Sequence, residues 1–116
     1  MSREERFENR QWNDAVRDMK RAYKQLSDFD WTVEIDEPSS AARHLRKMQK
    51  DFDSAMTHVA KADLGRDQKG AVDDVNRGVK DLNSAVTALD DGNIDSAQRL
   101  YDKAATNFQK AAVILD

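Results

Sequence analysis

The side chains best suited to acid–base or metal chemistry lie along one predicted helix, the second of the chain. His44, Asp51 and His58 follow one another at intervals of seven residues, and each interval corresponds to two helical turns, or about 10 Å. Helical metal sites take their ligands from positions three or four residues apart, so one ion cannot be held by all three side chains. We therefore predict no metal site on this helix.

A nucleophilic site would need a Ser or Thr beside a base, with a third group that orients the base. Ser54 and His58 are four residues apart and would be neighbours on a helix, but no oxyanion-binding loop accompanies them. The four glycines are scattered along the chain, whereas a phosphate-binding loop needs glycines close together with a lysine. The sequence therefore predicts a protein that is not an enzyme and holds no cofactor.

Basic residues form one cluster on each of the first two predicted helices. If the two faces adjoin, they make a positive patch able to bind an acidic partner or nucleic acid. Nearby acids such as Asp14, Asp18 and Asp53 could equally neutralise these faces and leave them as ordinary solvated surface. The patch would consist of Arg17, Lys20, Arg21, Lys24, Arg43, Arg46, Lys47 and Lys50.

Composition argues against a general nucleic-acid-binding protein. The 116 residues carry 19 basic and 22 acidic side chains, a net charge of −3 near pH 7, whereas such proteins are usually clearly basic. No stretch approaches the roughly 20 apolar residues of a membrane span, and residues 1–6 lead into no apolar run of the kind that a secretory signal contains. We expect one cytoplasmic domain comprising residues 1–116, which binds no membrane and has a protein rather than nucleic acid as its partner.

Four stretches of apolar residues, spaced alternately by three and four positions, predict four helices that each carry an apolar stripe. Each stripe needs another to cover it, so we predict an all-α, antiparallel up-down four-helix bundle. The helices are expected near residues 3–28, 37–64, 67–91 and 94–115. The predicted core consists of Val16, Met19, Tyr23, Leu26, Leu45, Met48, Phe52, Val59, Val75, Val79, Leu82, Val86, Ala97, Tyr101, Ala104 and Phe108.

The glycines and Phe7 allow more specific predictions about helix ends and helix packing. We expect Gly65 and Gly92 to end the second and third helices in the left-handed conformation, and Asn93 to cap the fourth. Gly78 lies inside the third helix at a cost of roughly 1 kcal/mol relative to Ala, so either a neighbouring helix approaches closely there or the glycine is exposed and tolerated. Phe7 lies off the stripe of the first helix, so the first ten residues either fray or pack against something other than the main core.

One segment between the first two helices departs from the helical pattern. Phe29, Trp31, Val33 and Ile35 alternate strictly with polar residues, which is the period of an extended chain with one wet and one dry face. The dry face could cover the end of the core. It could also bind a partner, most simply a second copy of the chain, which would make the protein a homodimer.

These patterns predict a non-enzymatic, small helical-bundle module with a structural or protein-interaction role, able to associate with itself. Its candidate partner-binding residues are Phe29, Trp31, Val33 and Ile35. The alternative is an accessory protein that binds an acidic partner or nucleic acid through the basic faces of the first two helices.

Overall fold

The chain is all-helical throughout the part described by the computed structural model, which comprises residues 3–112, with the backbone alone at 4, 5, 8 and 9. This confirms the predicted all-α class, although five helices are present in that range rather than four. None of these helices is both long and apolar enough to cross a membrane. The helices are α1 (Arg3–Asp28), α2 (Trp31–Glu34), α3 (Pro38–Val59), α4 (Arg66–Asp90) and α5 (Ile94–Ala111).

The four long helices pack side by side. α3 contacts both α1 and α4, and α4 contacts α5. Gln11 of α1 bonds to His58 near the end of α3, whereas Gln25 bonds to Asp51, nearer the start of α3. These two helices therefore run in opposite directions. The molecule is elongated along them, with extents of 52 × 22 × 21 Å.

The predicted extended segment between the first two long helices is wrong, because Trp31–Glu34 form the short helix α2. The carboxylate of Asp30 explains the difference: it accepts the backbone amide of Thr32 at 3.1 Å and the hydroxyl of Thr32 at 2.8 Å, which is a helix N-cap. Residues four apart share one side of a helix. Trp31 and Ile35 accordingly pack on the core, while Val33 points outward and is 64% exposed.

Most helices begin and end close to the residues predicted from the sequence. Asn93 caps α5 by accepting the amide of Ser96 at 3.3 Å, and Gly92 has the expected positive φ of 78°. The prediction for Gly65 is wrong. Its φ is −74° and it precedes α4 as the N-cap, because α3 already ends at Val59 in a turn with an i to i−3 hydrogen bond from Lys61 to His58. The predicted helical residues 113–115 lie outside the described range.

The apolar core lies between the four long helices. Of the sixteen predicted core residues, twelve are buried, and the other four, Val16, Tyr23, Leu26 and Val79, are half-buried. The buried apolar side chains of α1 are the predicted Met19 and, on either side of it along the helix, Ala15 and Ala22.

Of the two alternatives for Gly78, the structure shows the close approach of a neighbouring helix. It is buried in α4, and a Cβ built on it would lie 2.5 Å from Cε1 of Phe108 on α5. The Phe108 ring in turn stacks on Phe52 of α3, with centroids 4.0 Å apart and planes within 3° of parallel. Because Gly78 has no side chain, the ring of Phe108 fits against α4 and links it to α3 and α5.

Candidate functional site

A pocket of about 550 Å³ opens between α1, α2 and α3. This volume falls within the range of pockets that bind small molecules or single side chains, about 300–1,000 Å³. Its apolar lining residues are the half-buried Phe29 and the buried Met48, which is 1% exposed, and charged or polar groups surround them. The lining residues are Arg21, Gln25, Asp28, Phe29, Glu34, His44, Lys47, Met48 and Asp51.

Hydrogen bonds and ion pairs hold several of the polar lining groups in place. Nδ1 of His44 lies 2.8 Å from Oε2 of Glu34, so this contact ties α2 to α3. On the opposite wall the amide of Gln25 donates to Asp51, and Nη1 of Arg21 lies 3.9 Å from Oδ1 of the same carboxylate. The walls of the pocket are therefore fixed by contacts between different helices.

Two lining residues have charges that the described part of the chain leaves without an ion pair, Asp28 and Lys47. Asp28 is the last residue of α1, and no basic residue lies in the last turn of that helix. The C-terminal end of a helix carries partial negative charge, which adds to the carboxylate of Asp28. Both side chains are exposed and so can meet a ligand from solvent.

Asp18 is the one buried charged residue among the described side chains, 6% exposed in the α1–α3 interface. The hydroxyl of Ser54 donates to it at 2.9 Å, and Nη1 of Arg21 lies 3.7 Å from it. His58 lies 3.7 Å away through Nε2, while its Nδ1 is 2.8 Å from Oε1 of Gln11. A buried carboxylate needs such partners, because burying an unpaired charge costs several kcal/mol, on the order of 3–5 when a partner is removed.

Ser54 and His58, which the sequence makes neighbours on α3, both lie near the carboxylate of Asp18. In a Ser–His–Asp triad the histidine lies between the hydroxyl and the carboxylate. Here the carboxylate of Asp18 lies between them and takes the hydrogen bond of Ser54. The three side chains tie α1 to α3. Among the described residues, no group of three or more His, Asp or Glu side chains could hold a metal ion.

The predicted basic patch is brought together in space, since α1 and α3 are neighbours, but acids accompany much of it. Arg17 pairs with Asp14 at 3.3 Å, and Arg46 pairs with Asp90 of α4. Arg21 is shared between two carboxylates. Lys47 lines the pocket, and the remaining patch residues, Lys20, Lys24, Arg43 and Lys50, are exposed.

A second surface feature lies at the other end of α1. The last residues of α3 meet α1 at Gln11 through His58, so the α1 turns before Gln11 extend beyond the end of α3. Phe7 is 51% exposed on these turns, and the exposed Arg3 and Arg10 lie four residues before it and three residues after it, on the same side of the helix. We call Arg3, Phe7 and Arg10 the Phe7 face.

An aromatic cluster borders the pocket through Phe29. The ring of Tyr101 lies 5.1 Å from that of Phe29 and 5.3 Å from that of Trp31. Burial, with a smaller contribution from the charge of Asp102, raises the pKa of Tyr101 to about 12. Burial also raises the pKa of Tyr23 above its usual range, with a contribution from Asp74.

These tyrosines predict a loss of stability in alkali. The folded state holds the phenol proton of Tyr101 more tightly than the unfolded state, whose pKa is about 10. Stability is therefore unaffected by this group below about pH 10 and falls as the pH rises toward 12. Urea unfolding followed by circular dichroism over this range should show a steeper decline for the wild type than for Tyr101→Phe, which keeps the ring but cannot ionise. Equal declines in the two proteins would contradict this assignment.

The sequence identified only part of this site. Of the four predicted partner-binding residues, Phe29 lines the pocket, Trp31 and Ile35 pack on the core, and Val33 is exposed. Met48 was predicted only as core, and the one signal for the Phe7 face was that Phe7 lies off the stripe of its helix. No protein-family model, no curated protein and no solved structure matches this chain.

Proposed function

We propose that this protein is a non-enzymatic protein-interaction module that binds its partner at the pocket between α1, α2 and α3. The observation that carries the proposal is the pocket itself, where the half-buried Phe29 offers apolar surface above the buried Met48. Asp28 and Lys47, whose charges have no ion pair in the described part of the chain, stand at its edge. A buried apolar anchor with polar groups around it is the usual anatomy of a binding site for protein side chains.

In this proposal the four long helices form an antiparallel up-down bundle, and α2 is a short addition in the first connection. The contacts of α3 with α1 and α4, and of α4 with α5, support this topology. So do the short connections at 60–65 and 91–93, since short loops join antiparallel neighbours. The cytoplasm remains the compartment expected from the sequence.

The alternative function, binding of an acidic partner or nucleic acid through the basic patch, has weaker support. The arginines at 17, 21 and 46 each lie within 4 Å of an aspartate, which lowers the positive potential that such a patch would present. Exposed lysines alone attract phosphates, but their contribution is strongly screened by salt.

A position-specific crosslinking experiment tests the proposed site. A photo-reactive phenylalanine analogue replaces Lys47 at the pocket or, as a control, the exposed Lys80 on α4. We expect a discrete protein adduct in cell extract from position 47 and not from position 80. The adduct should disappear when Asp28→Arg is added, because this change replaces the unpaired carboxylate at the pocket by a cation. That substitution should preserve the fold, since a cation suits a helix C-terminus.

The same charge change at a distant exposed residue, Asp63→Arg, is the control for nonspecific electrostatic effects and should leave the adduct intact. Adducts of the same identity and yield from positions 47 and 80, or adducts that persist with Asp28→Arg, would refute the pocket as the interaction site.

A further inference from the structure

We propose that the pocket receives Phe7 from a second copy of this chain, so that the protein is a homodimer. The inference rests on the proposed function and names its partner. Phe7 is one of two large apolar side chains that stand out as exposed among the described residues, the other being Val33. An exposed aromatic ring on a helix end that extends beyond its neighbour is free to enter a pocket on another molecule, and this chain carries such a pocket.

The chemistry of the pocket fits an aromatic ring. Phe29 offers a ring against which Phe7 can pack edge-on or with an offset, as aromatic pairs prefer. Phe29 is half-buried, so part of its ring remains accessible to a partner. A pocket of about 550 Å³ has room for a phenylalanine side chain together with part of the helix that presents it.

The charges around the two surfaces are also complementary. The Phe7 face carries Arg3 and Arg10, both exposed, against one acidic residue at the same helical spacing, Glu4. The pocket presents the carboxylate of Asp28 together with the negative end of the α1 dipole, and Glu34 lies on its α2 wall. Arginine–carboxylate contacts of this kind are among the strongest charge-assisted hydrogen bonds.

Two cationic residues also line the pocket and must be accommodated. Arg21 already lies within 4 Å of Asp18 and Asp51, so its charge is largely compensated. Lys47 is exposed, and its long flexible stem allows the ammonium group to turn toward solvent. Neither residue blocks the approach of the arginines to Asp28.

The positions of the two surfaces favour a closed dimer. Phe7 and Asp28 are 21 residues apart on α1, which corresponds to about 32 Å along the helix axis. Two chains placed side by side with their α1 helices antiparallel bring each Phe7 face to the pocket of the other copy. A two-fold axis then makes both contacts at once and leaves neither Phe7 uncovered.

The test is the molar mass of the purified full chain by light scattering and sedimentation over a wide concentration range. We expect the wild type to have twice the mass of one chain. Phe7→Ser and Asp28→Arg should each weaken the dimer at least about tenfold, or about 1.4 kcal/mol. Val33→Ser, which removes the other exposed apolar side chain, should leave the dimer unchanged. Since Phe7 and Asp28 are exposed, circular dichroism should show unchanged helix content in these variants.

A charge-reversal pair makes the test specific for the contact. Arg10→Glu alone should weaken the dimer, and combining it with Asp28→Arg should restore at least part of the lost affinity. A wild type that is monomeric at every concentration, or a dimer indifferent to Phe7→Ser, would overturn the inference. A monomer that still forms the pocket adduct with a different protein would overturn it and leave the proposed function standing.

Discussion

Replacing Phe108 by Ala is expected to lower the free energy of unfolding by about 3–5 kcal/mol. Phe108 is fully buried, and its ring stacks on Phe52 of α3 and meets the edge of Tyr23 of α1. Truncation removes a ring that joins several helices and leaves a cavity that the rigid helix backbones cannot fill. Native domains are stable by only about 5–15 kcal/mol, so this loss is a large fraction of the total stability.

Urea denaturation followed by circular dichroism measures this change. The matched control is Gln109→Ala, the next residue on the exposed side of α5, which should change the unfolding free energy by no more than about 0.5 kcal/mol. A loss below about 1 kcal/mol for Phe108→Ala would show that the ring is not the central packing element described above.

Replacing Gly78 by Ala is expected to destabilise the protein by about 1–3 kcal/mol, the usual cost of overpacking. In an ordinary helix the same change stabilises by roughly 1 kcal/mol, because Ala is the better helix former. Here the new Cβ would lie 2.5, 2.7 and 2.9 Å from three carbons of the Phe108 ring. That ring is held by Phe52 at 4.0 Å, so it has little room to move away.

Gly70, on the same helix, provides the matched control. A Cβ at Gly70 meets nothing within 4 Å, so Gly70→Ala should stabilise by about 0.5–1 kcal/mol. The mechanism is tested by repeating Gly78→Ala in the Phe108→Ala protein, where the substitution should become neutral or stabilising. Additive effects of the two changes would refute the steric explanation, since contacting residues normally couple by about 0.5–3 kcal/mol.

The long helices could be predicted because a period of three to four residues extends over many turns in each. The prediction of an extended segment around Trp31 was wrong because four apolar residues at alternating positions are too few to define a period. A single helical turn capped by Asp30 places Trp31 and Ile35 on the core just as well. The N-cap of Asp30 favours the helical turn over an extended segment, although Val33 and the other apolar residues alternate with polar ones.

The pocket was less predictable than the fold. Its lining comes from three helices, and Phe29 and Met48 come together only after α2 has turned the chain between α1 and α3. The sequence predicted Met48 only as a core residue and Asp28 only as the last residue of the first helix. Neither assignment indicates that the two residues share a cavity, because that depends on where helices cross. The position of Phe7 off its stripe was visible in the sequence, but its significance depended on α3 ending near Gln11.

The buried carboxylate of Asp18 has a consequence for the alignment of α1 on α3. Many stripes of Ala, Leu and Met can slide past one another by a turn, about 5.4 Å, with little change in buried apolar area. Such a shift would move Asp18 away from the hydroxyl of Ser54 and the ring of His58. Its carboxylate would then be buried among apolar side chains without these partners. The carboxylate of Asp18 therefore selects one register of α1 on α3, although the apolar faces of the two helices alone would allow several.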